Sequence, residues 1–93
     1  MRRIIDRIRG KVLSGEYSLT YHAIDEMIAD SFEEEDFEEA MASGRVVRRQ
    51  KDPLGRRKYT VEGRARDNRH LRAVCRFAQT SEKLIVITIY ESS

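Results

Sequence analysis

Apolar residues recur near the start of the chain as Ile4, Ile5, Ile8, Val12 and Leu13, steps that place them on one face of a helix. This spacing predicts a helix over about 2–15, weakened by Gly10 and stopped by Gly15. The stretch "EYSL" follows as a link. Thr20 is suited to cap a second helix over about 20–30, with Tyr21, Ala23, Ile24, Met27 and Ile28 spread over its apolar side. Ser31 and Glu34 form a capping-box pattern that opens a third helix over about 32–43, ending at Gly44. Its acidic first turns, Glu33 to Asp36, complement the positive end of the helix dipole, and Phe37, Ala40 and Met41 supply its apolar face.

Beyond Gly44 the period changes from helical to alternating. Strands are predicted over about 45–50, 57–63, 70–78 and 84–91, the first two joined by a turn containing Pro53 and Gly55. The order of three helices and then four strands predicts an α+β fold in a single domain over 1–93. Its N-terminal helices pack on one face of a four-stranded antiparallel sheet. Alternation assigns Tyr59, Val61, Leu71, Ala73, Cys75, Phe77, Ile85, Ile87 and Ile89 to the helix side. It leaves Lys58, Arg72, Arg76, Thr88 and Tyr90 on an open face, over a floor of Val74 and Val86.

Charge gives that open face meaning. Residues 1–44 carry five basic and eleven acidic side chains, whereas residues 45–93 carry thirteen basic and five acidic. A net charge of +2 therefore conceals an acidic helical half and a basic strand half. Arginines and a lysine around a tyrosine are what an RNA-binding sheet uses, because cations neutralise phosphate and a ring stacks on an unpaired base. The loop arginines Arg64 and Arg66 border the same face. Equally, a one-sided antiparallel sheet ordinarily turns polar residues to water. The acidic stretch "DSFEEEDFEEA" reads as a solvated helix face, or as a surface that receives a basic partner.

No apolar run is long enough for a membrane span, and the basic N-terminus lacks the features of a secretory signal. The one cysteine, Cys75, forms no internal disulfide and reads as a small core hydrophobe. These features point to a cytoplasmic protein without membrane contact. His22, His70 and Cys75 lack the spacing of a zinc site, and no phosphate-cradling glycine loop or nucleophile elbow is present. No metal and no cofactor is expected. On a helical wheel His22 falls beside Glu26, opposite the apolar side. It is either a solvated residue paired with Glu26 or a general base oriented by a carboxylate.

The segment "YSLTYHAIDEMIADSFEEEDFEEAMASGRVV", with the later "YTVEGR", "HLRAVCRF" and "LIVITIYE", resembles an uncharacterised small bacterial domain family. The resemblance spans about residues 16–91 and rests on Thr20, His22, Ala23, Met27, Gly63, Arg64, Thr88, Tyr90 and Glu91. Glu26 stands where an arginine is usual. At a greater distance the family resembles RelE-like and BrnT-like toxins of type II toxin–antitoxin pairs. That resemblance implies a RelE-like architecture and metal-independent cleavage of messenger RNA, free or on the ribosome. It also implies a cognate antitoxin, of which the MqsA-type zinc-finger proteins are one kind. A homodimer is a further arrangement to be tested.

On that reading Arg76 and Arg72 neutralise phosphate, Tyr90 stacks or transfers a proton, and His22 or His70 performs acid–base chemistry. Lys58, Arg64, Arg66 and Arg72 bind the RNA. The competing reading is a non-catalytic module that binds RNA or protein through the same basic sheet.

Overall fold

A computed structural model describes residues 3–92. Its elements are helix α1 (Ile4–Leu13), strand β1 (Tyr17–Leu19), helices α2 (Tyr21–Ala29) and α3 (Glu34–Ser43), and strands β2 (Arg45–Lys51), β3 (Arg57–Arg64), β4 (His70–Phe77) and β5 (Leu84–Glu91). The four later strands lie within a residue or so of their predicted bounds, and the fold is α+β. Arg2, with which the first helix was expected to begin, lies outside the described residues.

The sheet has five strands rather than four, in the order β1-β5-β4-β3-β2. The extra strand is the "EYSL" link: Tyr17, Ser18 and Leu19 run parallel to β5, opposite Leu84, Ile85 and Val86. Three residues are too few for an alternating pattern to register, so the link hid a strand. The other neighbours pair antiparallel. The core gathers Ile8 of α1, Ala23 and Met27 of α2, Phe37, Ala40 and Met41 of α3, and the inward residues of the sheet.

Helix ends follow the chain's chemistry, with one correction. Gly15 has φ 75°, and the amides of Gly15 and Glu16 close back onto the Val12 and Lys11 carbonyls, as expected of a glycine stop. The end of α2 uses the same device without a glycine. Ser31 adopts φ 58°, its amide donates to Ile28 and the Phe32 amide donates to Met27, while the Phe32 and Met27 side chains are both buried. Ser31 is thus spent on ending α2 and does not open α3. The capping box there is Glu33 with Asp36, each carboxylate accepting from the other's backbone amide.

Two glycines let α3 settle on the sheet. At Gly63 a Cβ would be driven into the backbone of Ala40, and at Gly44 it would stand 2.6 Å from the Ala40 carbonyl oxygen and 2.8 Å from Val61 Cγ1. Gly44 has an extended backbone (φ −83°, ψ 171°), so absence of a side chain is what matters there. The wheel of α2 needs correction as well. Ala23 and Met27 are buried, but Tyr21 and Ile28 are largely exposed and Ile24 is partly so.

Candidate nucleic-acid interface

The face of the sheet away from the helices is a shallow groove of about 380 Å³. Its polar lining comes from Arg48 and Gln50 of β2, Lys58 and Thr60 of β3, Arg72 of β4, and Thr88 and Tyr90 of β5. Val47, Val74 and Ile87 form its floor. Val86 was expected in that floor, with Ile87 in the core; the structure exchanges them. The register runs Cys75 to Val86 and Val74 to Thr88, so Ile87 is an extra residue in β5. A bulge of this kind reverses the alternation on one side of it. Leu84 and Val86 therefore join Ile89 in the core, and Ile85 turns outward.

Arg72 is the centre of the groove's chemistry. Its cross-strand neighbours are Glu62 on β3 and Tyr90 on β5. Its Nε donates to Glu62 Oε2 at 2.7 Å, and Tyr90 also hydrogen-bonds the guanidinium. The Arg72 hydrogen bond, and then its charge, hold the Glu62 carboxyl below its usual range against the opposing effect of burial; the His70 charge adds to this. Glu62 and then Tyr90 raise Arg72 in turn. His70, two residues before Arg72 and so on the same face, places Nδ1 3.8 Å from Glu62 Oε1. That separation is one of charge attraction rather than of a hydrogen bond.

The expected site residues divide. Lys58, Arg72 and Tyr90 line the groove, and His70 is joined to them through Glu62. Arg64 is the cross-strand partner of His70, and its Nη1 donates to Asn68 Oδ1 at 3.0 Å at the exposed end of the hairpin. Arg76 lies on the same face of β4 but does not line the groove; it pairs with Ile85, four residues along the strand from Arg72.

Arg66 turns to the helix layer instead of the open face. Its Nε is 3.0 Å from Asp36 Oδ1, and Nη2 is 3.1 Å from Glu33 Oε1. Arg69 is committed in the same direction. It donates to the Asp30 and Ser31 carbonyls, pairs with Asp67 and Glu91, and lies over the Phe32 ring. Much of the basic β3–β4 loop is therefore fastening, not ligand surface.

His22 is exposed on α2, and no residue of that helix lines the groove. Its Nε2 lies 3.0 Å from Glu26 Oε1, an atom closed off from water that has no other polar partner among the described residues. The i, i+4 pairing read from the sequence is present.

Glu62 is the site residue that sequence reasoning passed over. It shares a face of β3 with Lys58, but only the hairpin register reveals that it stands opposite Arg72. Among the described residues, no group of three or more histidine, cysteine, aspartate or glutamate side chains is arranged to hold a metal ion. Nor is any helix long and apolar enough to cross a membrane.

No curated protein and no solved structure matches the chain. Residues 19–91 do match a family profile, that of a domain of unknown function, DUF4258. The match begins just before the Thr20 cap, ends with β5, and takes in every groove residue described above. On that match, the chain belongs to the DUF4258 family.

Proposed function

We propose that the open face of the sheet binds single-stranded RNA and cleaves it, with His70, Glu62, Arg72 and Tyr90 as the reacting group. The observation that carries this reading is the meeting of those four side chains on adjacent strands, with Arg72 between Glu62 and Tyr90. His70 removes the proton from a 2′-hydroxyl, and the Glu62 carboxylate on the Nδ1 side of the ring stabilises the imidazolium that forms. The 2′-oxygen bonds to the adjacent phosphorus while the bond to the 5′-oxygen breaks. Tyr90 supplies the proton to that leaving oxygen. The products are a 2′,3′-cyclic phosphate and a 5′-hydroxyl. Arg72 uses its terminal nitrogens on the phosphate, where negative charge grows, and Lys58 and Arg64 hold the flanking phosphates. The toxin role and RelE-like architecture implied by the resemblance would be exercised through this face.

The test is incubation of the purified chain with end-labelled single-stranded RNA. His70→Ala and Arg72→Ala are each expected to reduce cleavage by about 10²-fold or more, with cyclic phosphate ends on the residual product. His22→Ala is expected to cleave normally. Full activity in His70→Ala removes the assignment. Expression of the chain alone in a bacterium is expected to arrest growth.

A second reading is a face that binds RNA without cleaving it. The close Glu62–Arg72 pair favours it, because the guanidinium is partly neutralised and the carboxylate is a weak base. Salt-sensitive binding with intact RNA would select this reading.

A further inference from the structure

A cleft of about 740 Å³ lies between α1 and β2 on the helix side of the sheet, away from the open-face groove. Five arginines line it: Arg3, Arg7, Arg9, Arg45 and Arg49. Its lining contains no carboxylate, and its apolar part is Ile4, Ile5 and Val46. Asp6 is near enough to pair with Arg3, at 3.2 Å, and with Arg9, at 3.7 Å. Arg7 instead lies over the Phe77 ring and Arg49 over the Tyr59 ring, and Arg45 forms no ion pair among the described residues. Among the described residues Asp6 is the one carboxylate paired with these arginines; Arg9 also donates to the Met41 and Gly44 carbonyls, and Arg45 stands opposite Glu62 on β3.

The cleft runs beside an open sheet edge. β2 is the last strand in the order and pairs only with β3, so its outer backbone donors and acceptors have no strand partner. After the irregularity at Val47, Arg48 to Lys51 continue in regular register. We propose that this edge and cleft together bind an extended acidic peptide segment of another protein. The segment adds as a strand to β2, its acidic side chains reach the arginines, and its apolar side chains rest on Ile4, Ile5 and Val46. A free backbone edge suits a peptide rather than a nucleic acid, because ladder hydrogen bonds require alternating amides and carbonyls. The edge also disfavours a second copy of this chain, since β2 against β2 sets Arg48, Arg49 and Lys51 against the same cations.

The test uses a fluorescein-labelled peptide of alternating glutamate and valine, its lysine–valine counterpart, and the full chain. Anisotropy is expected to show binding of the acidic peptide alone, with β2 amides gaining protection from hydrogen exchange. Arg7→Glu combined with Arg49→Glu is expected to raise Kd at least tenfold; both residues are exposed, and circular dichroism checks that the variant is folded. Arg7→Gln with Arg49→Gln is expected to give an intermediate loss. The proposal is overturned if neither peptide binds, if the lysine peptide binds as well, or if single-stranded RNA displaces the acidic peptide. Dimerisation of the free chain through β2 would equally overturn it.

Discussion

Gly63 of β3 and Ala40 of α3 meet backbone to backbone, with no room for a Cβ between them. A helix that sits this close cannot retreat without leaving Phe37 and Met41 unpacked. Gly63→Ala is expected to lower stability by about 3 kcal/mol or more, at the upper end of overpacking costs, measured by urea denaturation. Gly10 makes the opposite case. It lies inside α1 with nothing near the position of its Cβ, so Gly10→Ala is expected to stabilise by about 0.5–1 kcal/mol. Equal effects at the two positions would contradict this packing account.

Thr20 joins a helix to a bulge. Its hydroxyl oxygen accepts from the Ala23 amide at 3.1 Å, and its O–H donates to the Ile87 carbonyl at 2.9 Å. Thr20→Val keeps the shape and removes both hydrogen bonds, for an expected loss of about 1–2 kcal/mol. Thr20→Ser is expected to retain most of that stability. Thermal denaturation of the pair distinguishes the hydroxyl from the methyl.

The Asp36 carboxylate accepts from Arg66 Nε, from the Arg66 amide and from the Glu33 amide, at 3.0, 3.2 and 2.8 Å. The Arg66 side chain leads in holding it below its usual value, and burial opposes the shift. A carboxyl with a depressed folded pKa contributes stability above its unfolded pKa and loses it as pH falls through the folded value. Asp36→Asn is expected to cost about 1–3 kcal/mol at pH 7, a figure held down by the half-exposed Arg66. Its deficit is expected to shrink below about pH 4, first as the unfolded carboxyl takes up a proton and then, at the lower folded value, as the native one does. Urea midpoints at pH 7 and pH 3 provide the check, and a deficit independent of pH would refute it.

Cys75 is 1% exposed, and burial pushes its thiol up to about 12. Relative to a free thiol near 8.5, it holds on the order of 10³-fold less thiolate at neutral pH. The folded protein is expected to ignore a disulfide reagent that labels it rapidly in urea. Fast labelling of the native state would show that this part of the core opens.

The proposed RNA binding on the open face is expected to weaken as salt rises. Lys58→Ala and Arg64→Ala are each expected to reduce the slope of log K against log salt by about 0.7 for a single strand. Filter binding across a salt series measures this, and unchanged slopes would move the phosphate contacts elsewhere.

The elements legible in the sequence were those with several repeats of their own period. Ile4, Ile8 and Val12 mark α1, and Leu71, Ala73 and Cys75 mark β4. The features that escaped depend on a neighbour distant in sequence. Tyr17–Leu19 is a strand because β5 lies beside it, and Ile87 leaves the core because β4 lacks a residue to match it. Arg66 is counted among basic surface residues until α3 presents Asp36 to it. The open face was readable as a basic surface, whereas the Glu62–Arg72–His70 cluster required the hairpin register.

Placing β5 between β1 and β4 also sets the order in which the protein can become itself. The Thr20–Ile87 hydrogen bond closes a separation of 67 residues, and β1 has no strand partner other than β5. The helical N-terminal part and the β2–β4 meander can each form local structure early, and α3 can settle on β3, but β1 finds its strand partner only when the last strand is in place. High-separation closure of this kind slows folding and makes it cooperative. A chain that lacks β5 leaves the β4 edge unpaired and α2 without the strand it packs on.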